Sequence, residues 1–471
     1  MINFLLKPLS IFVLGLLTSV SVFSQTLPTA TETAKAITIG WNLGNTLEAI
    51  GGETAWGNPL TTQSLIDSVR AAGFNTIRVP VSWHTHADPT TNTIDTAWLA
   101  RVKEVVDYGI KNNMYIILNI HWDNGWLENN VTEAMQASVN EKQFKYWTQI
   151  ANYFKSYDGH LLFASANEPN VENGTQMAVL VSYHQTFIKA VRATGGNNSS
   201  RTLIVQGPST DIEKTKQWMN TLPTDEIADR LMVEVHYYTP YNFTLMTEDT
   251  SWGKMFYYWG KGYHSTSDVT RNATYGEETA VDALFQSMKT KFIDKGIPVI
   301  IGEFAAIKRT SLTREALALH TASRQYYLNY VASAAVRFGD LKLIYWDNGY
   351  YGNNNTGLFD RSTGAIMDRG AVAALMEGTG KGVVTGIADN EEITDTQIFP
   401  NPFTSTINLL IAKPNQVNRI VILDMVGKQL ETIEKAGISS ISTIGSSLKP
   451  GLYLVQIQGA DSYQSFKVLK K

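Results

Sequence analysis

The chain has 471 residues, 44% of them apolar and 11% aromatic, enough for one large core and a small second one. Its net charge of −4 comes from 43 acidic residues against 39 scattered basic ones, with no basic stripe, so nucleic acid is not an expected partner. The absence of cysteine excludes thiol catalysis, disulfides and cysteine-type zinc sites.

Residues 1–24 read as a secretory signal peptide: Lys7, an apolar stretch from Ile11 to Leu17, then small residues up to Ser24-Gln25. That stretch is shorter than the roughly 20 residues a membrane span needs, and no later run qualifies, so cleavage is expected rather than an anchor. The mature protein is expected to be secreted or held at the cell surface, with no stable membrane span.

From 25 to 380, short runs rich in Val, Ile and Leu alternate with segments of helical period. Eight strands are predicted, at Thr38–Leu43, Thr76–Val79, Tyr115–Ile120, Leu161–Ala166, Leu203–Gln206, Leu231–His236, Pro298–Gly302 and Leu341–Trp346. Between them lie helical stripes such as Leu65, Ile66, Val69 and Ala72, stopped by Gly73, and Leu99, Val102, Val105, Val106 and Ile110. Alternating units with nearly continuous apolar strands predict an α/β fold, a (β/α)8 barrel. An open doubly wound sheet is the alternative, but no glycine-rich phosphate fingerprint supports it.

Between the sixth and seventh strands, Tyr241, Phe243, Trp252, Phe256, Tyr257, Tyr258, Trp259 and Tyr263 sit in a stretch interrupted by Gly and polar residues. It reads as a loop over the barrel, its aromatics divided between a satellite core and the lining of a cleft. Residues 381–396 are acidic and lack a helical stripe, as a linker would. Beyond them, IFPNPFTSTINLLI, RIVILDMVGKQL and GLYLVQIQ alternate as strands separated by turn signals, so 397–471 is expected to form a small all-β, Ig-like sandwich with no catalytic constellation of its own.

Chemistry concentrates where strands are predicted to end. Glu168 follows the run LLFASAN and Glu303 follows IPVIIG. Carboxylates leaving a parallel barrel at this face stand where such folds assemble active sites. Cleaving an acetal needs one carboxylic acid to protonate the leaving oxygen and a second carboxylate to meet the oxocarbenium-like carbon. The acid needs its pKa raised by an apolar setting or a neighbouring negative charge. A single strand-end glutamate is more often a structural ion-pair partner; two in one setting favour the chemical reading. Asn167 can donate to a sugar hydroxyl, and Arg78 in IRVP can hold Glu303 ionised as the better nucleophile. His121 in NIHWD and His236 with Tyr238 in HYYTP can supply directed polar contacts, and Trp346 offers a flat apolar face to a pyranose ring. His84 and His86 in SWHTH, with His121, His236 and the carboxylates, leave open a metal-dependent hydrolase.

With these residues in place, the chain from Ile39 to Met376 resembles glycoside hydrolase family 5, the cellulase family. The resemblance is carried in order by GWNLGNT at Gly40–Thr46, IRVPVSW at Ile77–Trp83, NIHWDNGW at Asn119–Trp126, ANEP at Ala166–Pro169, HYYTP at His236–Pro240, IGEF at Ile301–Phe304 and YWDNG at Tyr345–Gly349. It implies a retaining enzyme with Glu168 as acid/base, Glu303 as nucleophile, and Arg78, His121, Asn167, His236, Tyr238 and Trp346 in support. No cofactor is implied. GWNLGNTLEAI followed by ETAWGNP at Glu53–Pro59 is most similar to subfamily 4, endo-β-1,4-glucanases that also accept xyloglucan and mixed-linkage glucan, and His86 matches a substrate-side histidine there. Trp122 departs from the pattern, since many relatives have a second histidine beside His121. An endo-β-mannanase or dedicated xyloglucanase on the same barrel, and a non-catalytic glycan-binding protein, are the alternatives. PNP at Pro400–Pro402, DMVGK at Asp424–Lys428, LKPGLYLVQI at Leu448–Ile457 and the basic end KVLKK resemble the C-terminal sorting domains of Bacteroidetes type IX secretion, whose machinery is then an expected partner. A carbohydrate-binding or spacer sandwich is the other reading of the tail.

Overall fold

The computed structural model describes residues 27–380, 396–411, 414–424, 428–458 and 463–471. The signal segment, and all of the predicted linker except Thr396, lie outside the described residues. Two compact units are present, the first carrying the helix Arg369–Gly378 near its end and the second the strand Thr396–Phe399 near its start.

In the first unit, eight parallel strands close in sequence order: β1 (Ile39–Leu43), β2 (Thr76–Val79), β3 (Tyr115–Asn119), β4 (Leu161–Ala164), β5 (Leu203–Gln206), β6 (Leu231–Tyr237), β7 (Val299–Phe304) and β8 (Lys342–Asp347). β8 pairs with β1, Trp41 opposite Tyr345, so the sheet has no open edge and the barrel prevails over the open sheet. Two boundaries differ from expectation in ways that matter. β4 stops at Ala164 because the Ala166 N–H turns to the Gln206 side chain, 2.9 Å from Oε1, and leaves the ladder. β7 runs past Gly302 and takes Glu303 into the strand.

The predicted helical stripes are the buried faces. Gln63–Ala71 buries Leu65, Ile66 and Val69, with Thr62 accepting the Leu65 N–H as N-cap. Thr96–Lys111 buries Leu99, Val102, Val105 and Val106 and is capped by Asp95. Outward strand residues such as Trp41, Ile77, Leu118 and Phe163 join these helices in the outer core, whereas Ile117, Leu162, Ile204, Met232, Ile300 and Ile344 fill the barrel interior. The short helix Ala30–Ala36 closes the end where the strands begin. Ala30, Ala34 and Ile37 belong to the inner cluster, and Arg230, just before β6, donates to the Leu27 carbonyl at 2.7 Å. Toward the strands' C-terminal ends the inward positions turn polar, with Asn42, Arg78, Gln206 and Glu234 fully buried.

One ladder irregularity lies at that polar end. Val235 pairs with Ile301 but His236 pairs with Glu303, so Gly302 is an extra residue in β7, a bulge that sets His236 beside Glu303. A Cβ on Gly302 would stand 1.9 Å from Glu234 Oε1, so no side chain fits there. The aromatic loop after β6 divides as expected: Phe243, Phe256, Tyr258 and Trp259 are buried, while Tyr241 and Trp252 are exposed with their rings 6.1 Å apart.

The second unit has a three-stranded antiparallel sheet of Ile441–Ile444, Ile407–Ile411 and Thr396–Phe399, and a four-stranded one of Gln429–Glu434, Arg419–Asp424, Gly451–Gln458 and Tyr463–Lys470. Ile407, Leu409 and Ile411 of the first share one core with Ile420, Val455, Ile457 and Val468 of the second, which is the expected sandwich.

Candidate active site

At the polar end of the barrel, Arg78 on β2 is the organising side chain. Completely buried, it donates from Nη1 to Glu303 Oε1 and to Asn42 Oδ1, each at 3.0 Å, and from Nη2 to Asn167 Oδ1 at 2.8 Å. Its Nε stands 3.0 Å from Glu234 Oε1 as an ion pair, without hydrogen-bond alignment. A buried guanidinium costs several kcal/mol in lost hydration unless anions surround it, and here two carboxylates do.

His236 on β6 links three carboxylates. Its Nδ1 lies 2.7 Å from Glu168 Oε1 and 3.7 Å from Glu303 Oε2, and its Nε2 lies 3.2 Å from Glu234 Oε1. Ionised carboxylates only accept, so both ring nitrogens serve as donors and the ring is an imidazolium. Burial alone would strip its proton, but the Glu303 charge and the hydrogen bonds to Glu168 and Glu234 outweigh it and push the pKa up to about 10. The sign of the linkage follows. The unfolded imidazole titrates near 6.5, so the stabilisation is complete below about pH 6.5. It falls as pH rises and is gone above about 10. The melting-temperature advantage of the wild-type barrel over His236→Asn is expected to shrink between about pH 7 and pH 10; an advantage that stays flat would mean a neutral ring.

Glu168 sits beyond β4 on the turn that Ala166 begins, its side chain 44% exposed to the cleft, whereas that of Glu303 is 7% exposed. Burial pushes Glu168 upward, but the His236 hydrogen bond and charge, Arg78 and Thr210 together hold it below the usual carboxylate range. Because Glu168 faces open solvent, the His236 contact counts for more than its burial. Glu303 goes the other way: burial raises it, and the His236 and Arg78 charges do not fully compensate, with the Glu168 charge adding to the rise. The direction at Glu168 is opposite to the sequence expectation of a raised acid, whereas Arg78 does favour the ionised form of Glu303, as expected, but only partly offsets its burial. The reason is that the imidazolium bonds the exposed acid at 2.7 Å and leaves the buried one at 3.7 Å.

The remaining expected residues divide. Tyr238 donates its hydroxyl to Glu303 Oε2 at 3.0 Å. His121, just past β3, stacks on Trp346 of β8 with ring centroids 5.7 Å apart, and burial beside Arg78 and His236 holds its pKa well down, so it is neutral. A Cβ on Gly44 would lie 2.9 Å from Trp346 Cζ2, so the glycine of GWNLGNT makes room for the indole. Asn167 bridges Arg78 to the segment bearing Glu168. His86 is not drawn into this network: it stacks on Trp98 at 3.6 Å, with its Nε2 buried and unpartnered. His84 instead faces the Tyr146 hydroxyl at 2.9 Å, so the pair does not converge as a chelate. Glu168, His236 and Glu303 do offer three ligand-type atoms within 4.8 Å of one another. An imidazolium with both nitrogens protonated, however, has no lone pair to give a cation. Glu234 and Glu128, both buried, escaped the sequence reading. A cleft of about 570 Å³ opens on Glu168, His236 and Tyr238, walled by Thr210, Tyr241 and Tyr275.

Residues 42–352 match the family model described as cellulase (glycosyl hydrolase family 5). The chain belongs to glycoside hydrolase family 5. The family 5 barrel is 37% identical over 367 residues to a xyloglucan-specific endo-β-1,4-glucanase of Bacteroides ovatus, covering 74% of this chain and 70% of that protein. It is 34% identical to endoglucanase A of Paenibacillus barcinonensis, covering 74% of this chain and 90% of that protein. Among solved structures, a family 5 xyloglucan-specific β-1,4-glucanase from a ruminal metagenomic library superposes with a TM-score of 0.70 at 40% identity, over 78% of this chain and all of that one. This family 5 member is therefore a glycoside hydrolase of the cellulase type. Its residues 397–471 match the secretion system C-terminal sorting domain, which marks it for export.

Proposed function

We propose that the protein is a retaining endo-β-1,4-glucanase in which Glu303 is the nucleophile and Glu168 the acid/base. The observation that carries this reading is the juxtaposition of one Glu168 oxygen and one Glu303 oxygen within 4.8 Å, closer than the roughly 6.5–9.5 Å by which inverting pairs are separated to make room for the attacking water. Glu303, fixed by Arg78 and Tyr238, attacks the anomeric carbon as Glu168 protonates the departing oxygen, and a glycosyl–Glu303 ester forms. Sugar seated over the cleft excludes the water that now reaches Glu168, which raises its pKa and loads it with a proton. Esterification then removes the Glu303 charge, the Glu168 pKa falls, and the same carboxylate takes a proton from the attacking water. Asn167, His121 and Trp346 line the sugar path, and His86 acts from the Trp98 side. No step calls for a cofactor.

The polysaccharide is a β-1,4-linked glucan, cellulose-type, mixed-linkage or xyloglucan; the relatives named above act on such chains, and the open cleft admits a polymer. Initial rates on these glucans and on mannan, with proton NMR of the first-formed product, test the reading. The β-anomer should appear first and a glucan should be fastest; early α-anomer would show inversion, and fastest turnover of mannan would move the enzyme to the mannanases.

For export, residues 1–24 serve as a cleaved signal, 25–380 as the catalytic barrel, 381–396 as a linker and 397–471 as the sorting domain read by the type IX machinery. The tail match and its separately cored sandwich support this division. Deleting 397–471 is expected to leave activity on soluble glucan unchanged while trapping the enzyme in the periplasm; undiminished release to the medium would refute the sorting role.

A further inference from the structure

Glu128 lies on the short turn Glu128–Asn130 after β3, outside every motif that carried the sequence reading, and only 5% of its surface is exposed. Its Oε1 accepts the backbone N–H of Glu168 at 2.5 Å, and its own carbonyl accepts the Asn170 N–H at 3.0 Å. The nearby Asn167 side chain also favours its ionised form. The oxygen of that amide is held by Arg78 at 2.8 Å. The turn itself is anchored from the outer layer, where Tyr183 donates to the Asn130 carbonyl at 2.8 Å.

Glu168 is thus gripped in two places: at its tip by His236 and Thr210, and at its root by Glu128. The tip is open to solvent, which leaves the root as the firm attachment. Holding a third carboxyl here is costly. Burial, together with the nearby Glu168 and Glu303 charges, opposes ionisation, while the Glu168 N–H and Asn167 partly offset this and the pKa is pushed up to about 7. A residue that only filled space would do so without that cost.

We propose that Glu128 is a positioning residue that fixes the Asn167–Glu168 segment and so aims the Glu168 carboxyl at the leaving oxygen. The inference rests on the reading of Glu168 as acid/base. A misplacement of about 1 Å at a reacting group can cost on the order of a hundredfold in rate.

The test uses the full chain and aryl β-cellobiosides of graded leaving-group acidity. Glu128→Ala should lower kcat/KM by about tenfold to a hundredfold on a poor leaving group, yet by no more than about threefold on 2,4-dinitrophenyl cellobioside, which departs without a proton. Glu128→Gln, which keeps an oxygen for the Glu168 N–H, should recover most of the loss. Equal losses on both substrates, or none, would overturn the proposal. Glu168→Ala run alongside separates the failures: if it too shows no leaving-group dependence, the acid/base reading falls, and if it alone shows one, only the role of Glu128 falls. Should Glu128→Ala not fold, Glu128→Asp carries the test, because the shorter carboxylate withdraws from the Glu168 N–H. Wild-type leaving-group dependence in that variant would be equally fatal.

Discussion

Replacing Glu303 with Gln is expected to lower kcat on soluble β-glucan by about 10⁴-fold or more, a barrier increase of roughly 5 kcal/mol. The amide is isosteric, its carbonyl oxygen can still accept from Arg78 while its NH2 faces the Tyr238 hydroxyl, which can turn to accept, and the bulge beside His236 stays intact, so the barrel should fold normally. What it lacks is a lone pair basic enough to form the ester with the anomeric carbon. Arg78 keeps Glu234 as counter-ion at 3.0 Å, so the guanidinium is not stranded by the change. A 2-deoxy-2-fluoro cellobioside with a good leaving group should label the wild-type enzyme on the peptide containing Glu303. Label on Glu168, or a variant retaining a tenth of wild-type activity, would reverse the assignment.

Replacing Glu168 with Ala should cost about 10²- to 10⁴-fold on glucan, where the leaving group is a sugar hydroxyl that needs a proton. The loss should fade on aryl cellobiosides whose phenolate leaves unaided. Azide should then accelerate turnover by entering the space beside His236 and Thr210 and should yield the β-glycosyl azide, since attack on the ester comes from the face Glu168 once served. Rescue is plausible on geometry because that carboxyl already stands at the solvent side of the site. A loss independent of leaving group, with no effect of azide, would remove Glu168 from proton transfer. Glu168→Gln should still bind glucan while turning it over poorly, which separates an enzyme from a glycan-binding protein.

How much of this was legible in the sequence depended on the range of the interaction concerned. Strand periodicity and strand spacing are local, and the eight strands lie where those patterns placed them. Glu234 left a readable trace that was overlooked: it is two residues before His236 in an extended run, and residues two apart share a face. Glu128 left none, because its importance comes from a backbone N–H forty residues away. The directions in which Glu168 and Glu303 shift were not readable either. They follow from which carboxylate the imidazolium of His236 approaches most closely and from which one meets water, and neither is a property of residue type. His86 shows the same limit, since its partner Trp98 arrives from a helix that the motif around it does not contain.

The extra glycine in β7 has an arithmetic consequence. Side chains along a strand alternate between two faces. Ile300 points into the barrel and Ile301 toward the helices, so simple counting sends Gly302 inward, Glu303 outward and Phe304 inward again. The opposite is found: Glu303 meets Arg78 and Tyr238 inside, and Phe304 is in the helix-facing core. The bulge changes the parity of the strand at the one place where the count decides whether a carboxylate faces a sugar or a layer of oil. Straightening β7 into regular alternation with Gly302 retained would change no functional side chain, yet it would swap the two faces from there onward, burying the nucleophile among the helices and turning a phenyl ring into the cleft.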